Sequence, residues 1–214
     1  TNIRRCLVRH IRFMLLGSFR ASSFMGFRNY LRYGSFEKFG IPWGWKDPRN
    51  TFTLPLWLDI FPDARVIHIY RHGIDVAHSL RRRQEKSLNA LEKGVLSRRL
   101  IYLLKPLKQN FLRTVRCCSL NQGLLLWEQY EQEARTNVRR LGDRAVQVKY
   151  EDFLYNPYEH LESLASFCGL KVNQSKFEKL SMQVDRTRAY AYKRSAELRA
   201  FAYSSADILK GQGY

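Results

Sequence analysis

Residues Trp43–Arg83, WGWKDPRNTFTLPLWLDIFPDARVIHIYRHGIDVAHSLRRR, decide the fold. Val66-Ile67-His68-Ile69-Tyr70 is a short run rich in β-branched residues, the pattern of a buried strand covered on both faces. Pro62-Asp63 punctuates its start, and Arg71-His72-Gly73 breaks it at the far end. Before it, Leu56, Trp57, Ile60 and Phe61 space the buried stripe of a helix, with Thr53 as its N-cap and Pro55 just inside. After it, a second helix is predicted with Asp75 in its first turn and Arg81-Arg82-Arg83 in its last, both matched to the helix dipole. Ile41–Trp45 is expected as another short strand, entering the loop Lys46-Asp47-Pro48-Arg49. Open α/β sheets bind ligands outside the carboxyl ends of their strands. Arg71 stands at one such end, Lys46 and Arg49 at the other. Cations gathered there point to a bound anion.

Tyr70–Ser79 resembles the 3′-phosphate-binding segment of sulfotransferases that use 3′-phosphoadenosine 5′-phosphosulfate (PAPS). In that family an Arg ends a strand and a Ser follows eight positions later, with an Asp between them. Arg71, Asp75 and Ser79 fill those places, and Gly73 stands where the family often has Pro. Lys46-Asp47-Pro48 is similar to the segment of the tyrosyl-protein branch whose Lys contacts the sulfuryl group or bridging oxygen. Val148–Phe153, followed by Asn156-Pro157, resembles the Tyr-Glu-Asp segment whose Tyr contacts the adenine. The resemblance covers Trp43–Arg83 and Val146–Leu170 well and the rest loosely.

What it implies is an α/β, P-loop-like three-layer fold, helix-rich, with a central parallel sheet flanked by helices, in one domain over residues 1–214. The implied donor is PAPS and the product adenosine 3′,5′-bisphosphate, without a metal. The acceptor would be a hydroxyl or amine on a glycan, peptide or small molecule. Lys46 and Asp47 are the candidate catalytic residues. Arg71 and Ser79 are the candidates for the 3′-phosphate, Tyr150 for the adenine, and Arg49 for a cofactor or acceptor phosphate. Arg186–Arg194 sits where many members close a basic segment over the nucleotide, so Arg188, Lys193 and Arg194 join the cofactor set. Ordinary structural roles stay open: a surface pair for Lys46 and Asp47, a strand-end salt bridge for Arg71, a core tyrosine for Tyr150, a solvated face for the C-terminal run. Glu37, Asp47 and His10 are the local candidates for a general base.

One family motif is missing. No β-branched strand leads into a Ser/Gly/Thr-rich loop that could cradle a 5′-phosphosulfate. Gly17–Ser23 is the nearest approach, and the domain is expected to lack that N-terminal strand.

Composition fits this frame. Among 214 residues, 37 Lys and Arg oppose 19 Asp and Glu, a net charge of +18. Such a charge draws polyanions, acidic acceptors included. It also admits a nucleic-acid-binding module as a rival reading, although no helix-turn-helix, zinc or RRM signature accompanies it. A nucleotide-kinase-like phosphotransferase would need a Walker lysine that is not found, and a catalytically silent scaffold is the third rival. Cys6, Cys117, Cys118 and Cys168 form no CxxC pair, and all four read as buried thiols, which fits a reducing compartment. No apolar run is long enough to span a membrane. A cytoplasmic location is expected, or the Golgi lumen were an N-terminal anchor present.

The remaining chain reads mostly as helix. Elements are predicted over Asn2–Phe19, Ser23–Arg32, Ser87–Thr114 in two pieces broken near Pro106, and Leu120–Leu141. Ala145–Tyr150 alternates like a strand. Asn156-Pro157 opens a helix that stops at Gly169, and Arg188–Leu209 is mostly helical.

Overall fold

The computed structural model describes residues 2–17, 19–38, 40–92 and 115–214. Its sheet is a parallel pair, β1 (Val66–Tyr70) and β2 (Ala145–Lys149), in a register that sets Val66 beside Ala145 and Tyr70 beside Lys149. Parallel strands need a long crossover. Here it includes two long helices, α5 (Gly73–Glu92) and α6 (Leu120–Leu141). The observed class is the expected one, α/β with a parallel sheet and rich in helix. The helix predicted over Leu120–Leu141 matches α6 at both ends.

Small residues let the two crossover helices touch. A Cβ on Gly73 would lie 2.7 Å from Leu124 and Trp127, and one on Gly123 would lie 3.3 Å from the Ala77 backbone. The glycine that departs from the family's proline thus makes room for α6. Ile74, Ala77, Leu124 and Trp127 form the core between these helices, and Leu198 and Leu209 seal it from α10 (Ala196–Ser204) and α11 (Ala206–Gly211).

A second cluster joins Leu15, Ala21, Met25 and Phe36. It lies among α1 (Asn2–Arg12), the π-helical turn Phe13–Gly17, α2 (Ser22–Met25) and α3 (Phe27–Tyr33). After β2 come α7 (Tyr150–Tyr155), α8 (Pro157–Cys168) and α9 (Gln174–Met182). Pro157 opens α8, and Gly169 caps it in the left-handed region at φ 68°, as its sequence predicts.

Several expectations fail. The helices expected over Asn2–Phe19 and Ser23–Arg32 are interrupted, the first by the π-helical turn and the second at Gly26, whose φ of 80° separates α2 from α3. Cys6 and Cys118 are exposed rather than buried. Four more concern Ile41–Arg83, each for a physical reason. Ile41–Trp45 forms no strand, because no backbone among the described residues pairs with it. It keeps the side-chain alternation of a strand. Trp43 and Trp45 project together, stacked at 5.7 Å, against Phe36, Trp57 and Phe61.

The next helix, α4, spans Asn50–Ile60, so Thr53 lies inside it rather than at its cap. The turn at Asp47 starts it: the Asp47 carboxylate accepts from the Arg49 N–H and its carbonyl from the Asn50 N–H. Pro55 then falls mid-helix, where it cannot donate to the Thr51 carbonyl. The buried amide of Asn137 on α6 donates to that carbonyl instead, at 2.8 Å.

The third correction concerns α5, which continues to Glu92, so Arg81–Arg83 sit mid-helix. Arg81 pairs with Glu197 rather than with a helix end. The predicted pieces beyond Glu92, including the break near Pro106, lie outside the described residues. The fourth concerns β1, which is open on one face: Ile67 and Ile69 are 39% and 59% exposed. The helix α6 covers the other face, placing Glu131 beside His68.

Candidate nucleotide site at the strand ends

Because Tyr70 pairs with Lys149, the next residues, Arg71 and Tyr150, leave the sheet side by side. The Arg71 guanidinium lies 5.0 Å from the centre of the Tyr150 ring, within cation–π range. Its Nη2 donates to the Arg188 carbonyl at 2.9 Å and sits 3.1 Å from the Asp75 carboxylate. Its Nε is buried with no hydrogen-bond partner among the described residues, a donor left over.

The peptide joining Arg71 to His72 is held at both of its polar groups. The Trp127 indole N–H donates to the Arg71 carbonyl at 3.0 Å, and the His72 N–H donates to Glu151 Oε1 at 2.9 Å. Glu151 is wholly enclosed, and its other oxygen accepts from the Tyr214 hydroxyl at 3.1 Å. A carboxylate withdrawn from water persists only when so bonded. Burial, reinforced by the Glu151 charge, pushes the Tyr214 phenol far up, so it remains a donor. The strand end therefore aims Arg71 from a fixed peptide.

His72 is buried and stacked on Tyr192, ring centres 4.3 Å apart. Burial lowers its pKa to about 4; Asp75 opposes that shift, while Lys193, Lys149 and Arg71 add to it. The ring is neutral at pH 7, and its Nδ1 accepts from the Ile74 N–H at 3.3 Å.

Asp75 fastens the C-terminal basic segment. Its two oxygens accept from the Ala191 and Tyr192 backbone N–H groups at 3.1 and 2.7 Å. Just before them, Tyr190 adopts φ +48°, the only positive φ on a non-glycine residue among those described. Such a conformation costs on the order of 1–3 kcal/mol. It brings the Tyr190 ring beside His72 and under the Lys193 ammonium, 4.7 Å away. On the Lys149 ammonium, burial acts to lower the pKa, but Tyr190, Asp152 and Tyr70 together outweigh it and the pKa rises.

The predicted residues thus divide. Arg71, Tyr150 and the segment carrying Arg188, Lys193 and Arg194 come together, with Arg194 bonded to the Thr187 carbonyl. Ser79 is exposed one turn beyond Asp75, on the same face of α5. Lys46, Asp47 and Arg49 form a separate group. No hydrogen bond, ion pair or ring contact among the described residues joins them to Arg71, Ser79 or Tyr150.

Within that group Arg49 forks onto both Asp47 oxygens, and these bonds hold the Asp47 carboxyl down at about 2. So acidic a group is a poor proton acceptor near neutrality. Lys46 is exposed and forms no ion pair among the described residues.

Sequence reasoning missed His72, Glu151, Trp127, Tyr190 and Tyr214, all of which shape the strand end. Among the described residues no three His, Cys, Asp or Glu side chains gather as a metal site would need.

Cations and tyrosine rings at the carboxyl ends of parallel strands suit a phosphorylated purine: the rings stack on a base, and the forked guanidinium takes phosphate. The chain belongs to the sulfotransferase family, whose model matches residues 8–174. The match takes in β1, β2, α4 and the Arg71–Tyr150 pair, and it ends before the Arg186–Arg194 segment. No curated protein and no solved structure matches the chain. The chemistry of the family is sulfuryl transfer, from a nucleotide sulfate donor to an acceptor.

Proposed function

We propose that the protein transfers a sulfuryl group from PAPS to a hydroxyl or amine of an acceptor, releasing adenosine 3′,5′-bisphosphate. The observation that carries this reading is Arg71, held by its peptide at a strand end and laid over Tyr150, with a buried Nε that has no partner among the described residues. In this reading Arg71 takes the 3′-phosphate and Tyr150 the adenine. Ser79 adds a hydroxyl, and the segment bearing Arg188, Lys193 and Arg194 adds positive charge above the nucleotide. Lys46 meets the sulfuryl group, where a compact ammonium can balance charge that builds on the leaving oxygen. Asp47 and Arg49 shape the loop that presents it. A net charge of +18 favours an acidic acceptor, such as an anionic glycan or peptide.

Calorimetric titration with adenosine 3′,5′-bisphosphate, with AMP and ATP as controls, tests the reading. The bisphosphate should bind much more tightly than AMP, and Arg71→Ala should remove most of that preference. Loss of a charge-assisted fork costs about 1.5–3 kcal/mol, roughly tenfold to more than a hundredfold in affinity. Equal affinity for AMP and the bisphosphate would sink the proposal.

A further inference from the structure

The N-terminal helices hold more apolar surface than their own core uses. Leu15, Ala21, Met25 and Phe36 face inward and are buried. Phe19, Phe24, Phe27 and Leu31 face outward, each about 59–68% exposed. Phe27 and Leu31 lie one turn apart on α3, and Phe19 meets Phe27 and Tyr30 edge-on at 6.5 and 5.5 Å. These side chains therefore form a surface patch rather than scattered exposures.

The same segment is cationic. Residues 2–38 contain eight Arg or Lys and one acid, Glu37. On α1, Arg4 is tied to Asp59 while Val8 and Ile11 turn inward. Arg5 and Arg9 run along one flank of that inward face, and exposed Ile3 and Leu7 along the other.

We propose that this helical unit docks on an anionic lipid surface, with Phe19, Phe27 and Leu31 entering the headgroup–acyl boundary and Arg5, Arg9 and the exposed Arg28, next to Phe27 on α3, meeting anionic headgroups. A soluble polyanion would satisfy the arginines and leave the phenylalanines in water. A second copy of the chain would bring its own arginines against these. A lipid interface with acidic headgroups satisfies both halves of the pattern. No helix among the described residues is long and apolar enough to cross a membrane, so the contact lies along the surface.

Flotation of the full chain with phosphatidylcholine vesicles, with and without phosphatidylserine, tests this. Recovery should require phosphatidylserine. Arg5→Gln with Arg9→Gln should weaken it on the order of tenfold or more. Phe19→Ser, Phe27→Ser and Leu31→Ser together should abolish it while bisphosphate titration stays unchanged. These side chains are exposed, so melting curves should match the parent; should the triple variant melt early, Phe27→Ser alone is read in its place. No recovery with phosphatidylserine overturns the proposal, as does recovery indifferent to the phenylalanines. A dimer in light scattering that the triple variant dissolves, without vesicle binding, assigns the patch to a second copy and equally overturns it.

Discussion

At the scale of single residues, the strand end depends on groups that are buried and paired at once. His72 titrates at about 4 instead of its ordinary 6.5 because burial penalises the imidazolium. The unfolded chain therefore binds more protons between those values, and stability must fall as pH drops from 6.5 towards 4. It is fully present above the unfolded pKa. His72→Asn retains an acceptor for the Ile74 N–H and removes the titration. Melting temperature followed from pH 7 to pH 4 should decline less in that variant than in the parent, and equal declines would assign the acid sensitivity to other groups.

The same scale shows what was legible. Arg71 and Tyr150 could be singled out because each closes a β-branched or alternating run and falls in a segment that resembles one of the family's. That they become neighbours follows from the parallel register, which pairs Tyr70 with Lys149 and which no local pattern encodes. Glu151 could be read only as part of a motif. Its role comes from His72 and Tyr214, which are 79 and 63 positions away in sequence. A faint signal existed: an acid three residues before Leu154, on the inward side of a short helix.

Among elements, α4 is the instructive case. Pro55 reads naturally as a first-turn proline, which places the helix start near Thr53. The turn built on Asp47 begins the helix earlier, and a proline mid-helix is tolerated because Asn137 reaches across from α6 to the Thr51 carbonyl. Local propensity could not reveal a partner 86 residues away. Asn137→Ala should leave that carbonyl unsatisfied and cost about 1–3 kcal/mol in denaturant unfolding. Asn137→Ala in a chain that also carries Pro55→Ala should cost less, since the helix then supplies its own donor. Ile41–Trp45 makes the complementary point. A strand needs a partner, and the residues of the segment say nothing about where one stands.

Across the whole molecule, the candidate residues fall into two groups, one at the carboxyl ends of β1 and β2 and one in the loop before α4. Ligand affinity and chemical rate should therefore respond to different substitutions. Lys46→Ala is expected to lower turnover by about 10²–10³-fold, as loss of one preorganised charge contact does, while bisphosphate affinity measured by calorimetry remains within error of the parent. A parallel loss of affinity would place Lys46 with the strand-end group instead.

The indole that donates to the Arg71 carbonyl has an optical consequence. Of the four tryptophans, Trp43, Trp45 and Trp57 are joined by ring contacts beside the Lys46 loop, whereas Trp127 stands apart among the strand-end residues. The emission of Trp127 reports on the peptide that aims Arg71, and the emission of the trio reports on the loop that presents Lys46. Trp127 is buried while Trp43 and Trp45 are exposed, so its emission should lie to the blue of theirs. The two edges of one spectrum should then follow the two parts of the chain, with no label attached.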